Sequence, residues 1–324
     1  MASCVTDVND KTTRGNFMKP GIPVAFASRT PATFAAFFSR DRAEASVTVT
    51  VTATWYAADA GAGAPAVIAI PGSSGVVPAQ RDIAQRLAEA GISVLLVDPF
   101  GCRGIDTTRY DQVMLPWAAS TWDVLAAQQW LMEEQQVAAG SIGAVGFSRG
   151  GTAVLMAATL PSAERAVFAV SPPLRAVYAA YPWCGIRFAV PAGQATRFRL
   201  MVGTQDDWVD PEQCADFAEA LRQSRHDVSF WRVPGAHHAW DWPTPVTFDP
   251  RIVKLVGYPV ITVDDCGRFN EPGATSFSDA IGERDIQADA MKRGCVAFGV
   301  HYGSSGAQPD QLHPDLLAFF QALR

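Results

Sequence analysis

The sequence predicts an α/β fold, a mostly parallel central sheet with helices on both faces. Two observations carry that prediction. Residues 66–70 and 92–97 are short runs that are apolar on both faces, and the segment between them, 81–90, puts Ile83, Ala84, Leu87 and Ala88 on one helical side; this is the pattern of a βαβ crossover. Further along, the apolar run 142–145 passes through Gly146-Phe147-Ser148-Arg149-Gly150 straight into the apolar stretch 152–158, a strand, a sharp turn and a helix in immediate succession.

The other elements follow in order. Residues 46–56 alternate with period two and predict a half-buried antiparallel edge strand that starts the sheet. After the crossover, Val124, Ala127, Leu131 and Met132 recur at helical spacing ahead of the strand that feeds Ser148. Residues 175–181, 197–202 and 228–233 read as further strands, and a helix beginning at Pro211 carries Cys214, Phe217, Ala218 and Leu221. Residues 242–310, broken by Pro243, Pro245, Pro250, Pro259 and Pro272, read as an elaborated loop region, with a terminal helix over 314–323. The expected organisation is an N-terminal extension, 1–45, packed on a single domain, 46–324.

Composition narrows the function classes. The 324 residues are 48% apolar and 18% charged, enough to bury a large core. A net charge of −6 with no Lys/Arg-rich run argues against nucleic acid as a partner. No membrane span is expected, and the sequence leaves oligomeric state unread. The six cysteines lack C-x-x-C spacing and suit neither a disulfide scaffold nor a zinc site. The first thirty residues carry Asp7, Asp10, Lys11, Arg14 and Lys19 without a secretory signal's apolar core. The chain is therefore expected in the cytoplasm, or in a secreted or periplasmic setting if a signal was removed before residue 1.

The G-x-S-x-G turn is a nucleophile elbow: its glycines let neighbouring backbones crowd the turn, so the Ser148 hydroxyl stands above the sheet edge. Chain order supplies partners. The strand at 197–202 runs into Gly203-Thr204-Gln205-Asp206-Asp207, and that at 228–233 into Pro234-Gly235-Ala236-His237-His238. A serine, an acid and a histidine thus sit at the carboxyl ends of three parallel strands, in the order such hydrolases use. Asp206 and Asp207, like His237 and His238, remain alternatives at this level. A backbone oxyanion site needs two amides, expected from Arg149, which opens the helix, and Ser73, in the turn after 66–70.

Five motifs in register carry a resemblance: the elbow extended to Gly151, Asp98-Pro99-Phe100-Gly101-Cys102-Arg103-Gly104, Tyr181-Pro182-Trp183-Cys184, Gly203 to Val209, and Pro234 to Asp241. Over residues 46–241 the chain resembles the dienelactone hydrolase family of α/β hydrolases. The resemblance implies an α/β-hydrolase fold and a hydrolase of carboxylic esters or lactones with no metal or organic cofactor. It also implies Asp206 as the acid, three residues after the glycine, and His238 as the base, directly before Ala239 and Trp240. Two departures stand out. The founding members use a cysteine where Ser148 stands, and their oxyanion loop carries an acid that Pro71-Gly72-Ser73-Ser74-Gly75 lacks, so dienelactone itself is not the expected substrate.

The same triad would also serve amide, thioester or peptide cleavage, and a non-catalytic binding protein on this fold is a third class. His237, His238, Asp241, Asp206, Asp207 and Asp210 include competent metal ligands but lack zinc-type spacing, and no metal is expected. The Arg149 side chain is expected to be exposed on the first helical turn. Trp117, Trp122, Trp183, Trp208 and Trp240 are candidate pocket walls, of which one or two are expected to touch substrate. His226, His301 and His313 are expected to be surface or structural. Cys184 and Cys214 would form a disulfide if their segments meet at one sheet edge, which would fit an oxidising compartment; Cys266 and Cys295 are a second candidate pair. Substrate choice is expected from 102–120 and from the stretch after Asp241.

Overall fold

The structure, a computed structural model, describes residues 20–39, 41, 45–59, 63–161, 168, 173–190, 196–270 and 282–323. The first nineteen residues, with the charges that argue against a signal, lie outside the described residues. In chain order the strands are β1 Ile22–Pro31, β2 Ser46–Tyr56, β3 Ala66–Ile70, β4 Ser93–Asp98, β5 Ile142–Phe147, β6 Ala176–Ala180, β7 Ile186–Phe188, β8 Arg197–Gly203, β9 Asp227–Val233, β10 Thr247–Lys254, β11 Ile261–Val263, β12 Phe269–Asn270 and β13 Ala297–Tyr302. The helices are α1 Phe34–Phe38, α2 Pro78–Glu89, α3 Trp117–Glu133, α4 Arg149–Thr159, α5 Pro211–Gln223, α6 Glu283–Lys292 and α7 Pro309–Gln321.

The main sheet runs β1-β2-β4-β3-β5-β6-β8-β9. Its first two pairings are antiparallel and the rest are parallel. Because helices cover both faces, the central strands divide their side chains between two cores. Ala66, Ile68 and Ile70 join Leu95 and Val97 on the face covered by α3 and α4. Val67 and Ala69 join Val94 and Leu96 on the face covered by α2 and α7. This division is why both strands read as continuous apolar runs.

Three expectations need correction. The strand predicted to form the edge, β2, lies one place in, because β1 pairs along its whole length from Ile22↔Trp55 to Pro31↔Ser46. Pro23 and Pro31 hid this strand, yet proline is tolerated where the outer side of the ladder is free. Residues 242–310 are not one long loop. β10 pairs with β13, β11 extends β7 in parallel and also pairs with β12, and α6 packs among them; strands this short leave little periodicity between prolines. The terminal helix begins at Pro309, with Pro314 inside it rather than at its start.

The N-terminal segment is fastened by aromatic contacts. Phe34 lies edge-on to Phe188 at 5.1 Å and to Phe269 at 6.1 Å, while Phe37 meets Trp122 at 5.1 Å. The turn before β12 presses directly on α1, since a Cβ on Gly267 would stand 2.2 Å from the Phe34 carbonyl carbon. No helix among the described residues is long and apolar enough to cross a membrane.

Candidate active site

Ser148 occupies the single residue between β5 and α4, with φ 51° and ψ −116°, a conformation costly for a side chain with a Cβ. The surrounding glycines make it sterically feasible. A Cβ on Gly146 would lie 2.1 Å from the Gly150 oxygen, and one on Gly150 would lie 2.3 Å from the Ile70 oxygen. The Ser148 amide donates to the Ala180 carbonyl at 2.8 Å, fixing the turn to the next strand.

The His238 Nε2 lies 2.8 Å from the Ser148 Oγ, and its Nδ1 lies 2.8 Å from the Asp206 Oδ2. An ionised carboxylate can only accept, so this geometry puts the imidazole proton on Nδ1 and leaves Nε2 to accept from the serine hydroxyl. The other Asp206 oxygen accepts from the amides of Trp208 and Val209, each at 3.0 Å. His238 is 1% exposed and Asp206 6%, so neither competes with bulk water for its partner. The ring of Trp208 lies 4.6 Å from the imidazole and that of Tyr181 lies 4.9 Å away. Tyr181, at φ 41°, donates its hydroxyl to the Asp241 Oδ1 at 2.6 Å. Burial raises the Asp241 carboxyl to about 6, partly offset by that hydrogen bond.

The two sequence alternatives face elsewhere. Asp207 accepts the His301 amide at 2.7 Å and lies 2.9 Å from the His301 Nδ1. Burial alone would raise its pKa, but these contacts and nearby Lys254 hold it below the usual carboxylate range. The His237 ring sits 5.3 Å from that of His301. Of the other residues weighed as metal ligands, Asp210 caps α5 by accepting the Glu212 amide.

The turn after β3 runs beside Ser148, where a Cβ on Gly72 would come 3.4 Å from the Ser148 Cβ. Ser73 lines the same small cavity as Ser148 and His238, of about 20 Å³. Its carbonyl accepts from the Thr108 amide at 2.9 Å and the Thr107 hydroxyl at 2.8 Å. The Arg149 amide is the first of α4 and has no intrahelical acceptor.

The Arg149 side chain corrects an expectation. It is buried, donates to the Gln112 carbonyl at 2.6 Å and to the Leu115 carbonyl, and stacks 4.1 Å from the Trp117 ring. Burial pulls its pKa down to about 10 against the opposing pull of Glu283. The sequence could not show that the carbonyls of 112–115 arch over this helix start.

Arg109, Trp242 and Tyr302 are among the cavity residues that escaped the sequence reading. The Arg109 guanidinium lies 4.6 Å over the Tyr302 ring, and its buried Nη2 has no hydrogen-bond partner among the described residues. Only the flagging of 102–120 and of the stretch after Asp241 as pocket walls pointed their way. Tyr302 reaches the cavity because β13 bridges the histidine loop, with the Gly303 amide donating to the His238 carbonyl at 2.8 Å.

Of the tryptophans, Trp208 touches this cavity, while Trp117 and Trp183 line a second, more apolar one of about 50 Å³ beside Glu283. Trp240 is fully buried, and Trp122 packs on Phe37 and Phe168. His301 pairs with Asp207, His226 is buried against Phe198, and His313 lies beside Asp82. Cys184 and Cys214 form a disulfide with Cα atoms 5.0 Å apart. The second candidate pair is overturned: Cys266 in an exposed turn and Cys295 after α6 are both free.

A model of the dienelactone hydrolase family matches residues 52–246. The chain belongs to the dienelactone hydrolase family. Its fold is accordingly the α/β-hydrolase fold, with the mostly parallel sheet and two helical layers described above, and its chemistry is that of a hydrolase of the ester and lactone class. A probable 2-oxo-3-(5-oxofuran-2-ylidene)propanoate lactonase of Bradyrhizobium sp. is 27% identical over 188 residues, covering 54% of this chain and 73% of the relative. Among solved structures, m3DLH is similar with a TM-score of 0.51 at 20% identity, covering 70% of this chain and 87% of its own. A dienelactone hydrolase-like promiscuous phosphotriesterase from metagenomic libraries has a TM-score of 0.47 at 17% identity, covering 69% and 86%. Within this family the chain carries serine at the elbow.

Proposed function

We propose that the protein is a serine hydrolase that opens a carboxylic ester or lactone through an acyl-enzyme on Ser148. The observation that carries this reading is the buried, hydrogen-bonded chain Ser148–His238–Asp206. His238 takes the serine proton as Oγ attacks the carbonyl, then gives it to the departing alkoxide; in a lactone the alcohol stays attached to the acyl group. Water, deprotonated by the same imidazole, then releases the acid and restores Ser148. Asp206 keeps the imidazole in one tautomer and balances its transient charge. The Ser73 and Arg149 amides face the developing oxyanion, and losing one such donor costs about 3 kcal/mol of barrier. No step draws on a cofactor or metal.

The cleft over Ser148 is lined by Arg109, Trp208, Trp242 and Tyr302. The Arg109 nitrogen with no partner among the described residues favours a carboxylate on it, in keeping with the acidic lactone named for the Bradyrhizobium relative. The Cys184–Cys214 disulfide favours an oxidising compartment.

The test is intact mass after a fluorophosphonate probe, on the native chain and on Ser148→Ala and His238→Ala. One adduct on the native chain, absent from Ser148→Ala and slowed in His238→Ala, is expected. A panel of esters, lactones, amides and thioesters then ranks the bond cleaved. A folded native chain that takes no adduct would leave a binding protein instead.

A further inference from the structure

We propose that Asp207, His237 and His301 bind one divalent transition-metal ion of the zinc class, outside the serine machinery. Each offers a ligand atom, and these atoms lie within 4.8 Å of one another. A tetrahedral ion with bonds of about 2.0–2.1 Å holds its ligands roughly 3.3 Å apart, so the three atoms would have to draw together by about 1.5 Å at most. Two imidazoles and one carboxylate suit zinc, nickel, cobalt or copper and not magnesium or calcium.

The three residues come from separate segments and are already partly ordered. Asp207 holds the His301 amide at 2.7 Å and the His301 Nδ1 at 2.9 Å. Phe248 packs on the His301 ring at 4.9 Å, and the His237 ring lies 5.3 Å away. The Nδ1 of His237 is buried with no hydrogen-bond partner among the described residues. A buried polar nitrogen left unpaired is costly, and an ion bound at this Nδ1 would offset that cost.

One cation already competes. The Lys254 Nζ sits 3.6 Å from the Asp207 Oδ2, on a long flexible side chain that can swing away when a dication takes the carboxylate. Metal and lysine therefore exclude one another at this oxygen. A bound ion would tie the acid loop, the histidine loop and β13 together, one residue along the chain from Asp206 and from His238.

The test is zinc titration of the tag-free, metal-stripped full chain against a chromophoric chelator, with magnesium as the control ion. One equivalent of zinc is expected in the micromolar range or tighter, with no magnesium uptake. His237→Ala and His301→Ala should each weaken it about tenfold or more, since even outer-shell partners of a metal cost that much. Lys254→Ala should tighten it. Should His301→Ala fail to fold, His301→Gln keeps a donor toward Asp207 but offers no imidazole, and gives the same reading. No stoichiometric uptake by the native chain, uptake indifferent to both histidine substitutions, or loss in His238→Ala with retention in His301→Ala would overturn the site.

Discussion

Asp206 and Asp207 are neighbours in the chain, yet their carboxylates serve different histidines: Asp206 lies 2.8 Å from the His238 Nδ1, and Asp207 lies 2.9 Å from the His301 Nδ1. The consequence is a divided phenotype. Asp206→Asn should lower kcat on an activated ester by about three to four orders of magnitude, because the amide favours the wrong imidazole tautomer. Asp207→Asn should cost about tenfold or less while lowering the melting temperature, through its lost hold on β13. Steady-state kinetics beside thermal melts on both variants separates the two; equal kinetic losses would refute the division.

Arg109 predicts a substrate-dependent KM. Arg109→Gln should raise KM for a carboxylate-bearing lactone about tenfold more than for its neutral methyl ester, with kcat similar for both. A charge-assisted contact is worth about 1.5–3 kcal/mol, so the difference is measurable. Equal shifts on the two substrates would show that the guanidinium only braces Tyr302.

Glu283 sets a pH signature in stability. Its carboxyl caps α3, accepting the Trp117 amide at 2.5 Å. Burial raises it to about 8, with Arg149 and the α3 amides pulling the other way. Between the ordinary glutamate value and 8, the folded chain holds a proton that the unfolded chain has released. Its contribution therefore falls as pH rises through that window and levels off above it. Melting temperatures from pH 5 to 9 should decline more steeply for the native chain than for Glu283→Gln. Parallel curves would show that the carboxyl is solvated in the folded state.

The disulfide closes a loop of 30 residues between Cys184 and Cys214. Its removal in Cys184→Ala/Cys214→Ala should destabilise the protein by about 2–4 kcal/mol, read from denaturant midpoints. Peptide mapping without reductant should recover Cys184 and Cys214 as one linked pair, with Cys102, Cys266 and Cys295 alkylated. Six alkylated thiols would remove the argument for an oxidising compartment.

What the sequence showed and what it hid have physical reasons. The elbow was legible because backbone approach near 2 Å at Gly146 and Gly150 admits no other residue. β3 and β4 were legible because two cores demand apolar residues on both faces of their central positions. β1 was hidden by Pro23 and Pro31, residues that only an edge tolerates. Asp206 and His238 could be set apart from Asp207 and His237 only by the family spacing, three residues after Gly203 and directly before Ala239; that Asp207 turns to His301 depends on β13, 94 residues further along the chain. Arg149 was misread for the same reason: its acceptors are carbonyls of a loop whose path no composition reveals.

The bridge from β13 to His238 gives the molecule an order of assembly. A nascent chain that has emerged through residue 238 already holds Ser148, Asp206 and His238, but the Tyr302 wall and the His301 clamp on Asp207 have still to follow. Contacts so distant in sequence form late. The pocket around Ser148 is therefore among the last parts of the protein to be finished, since one of its walls is a strand made after the three residues it encloses.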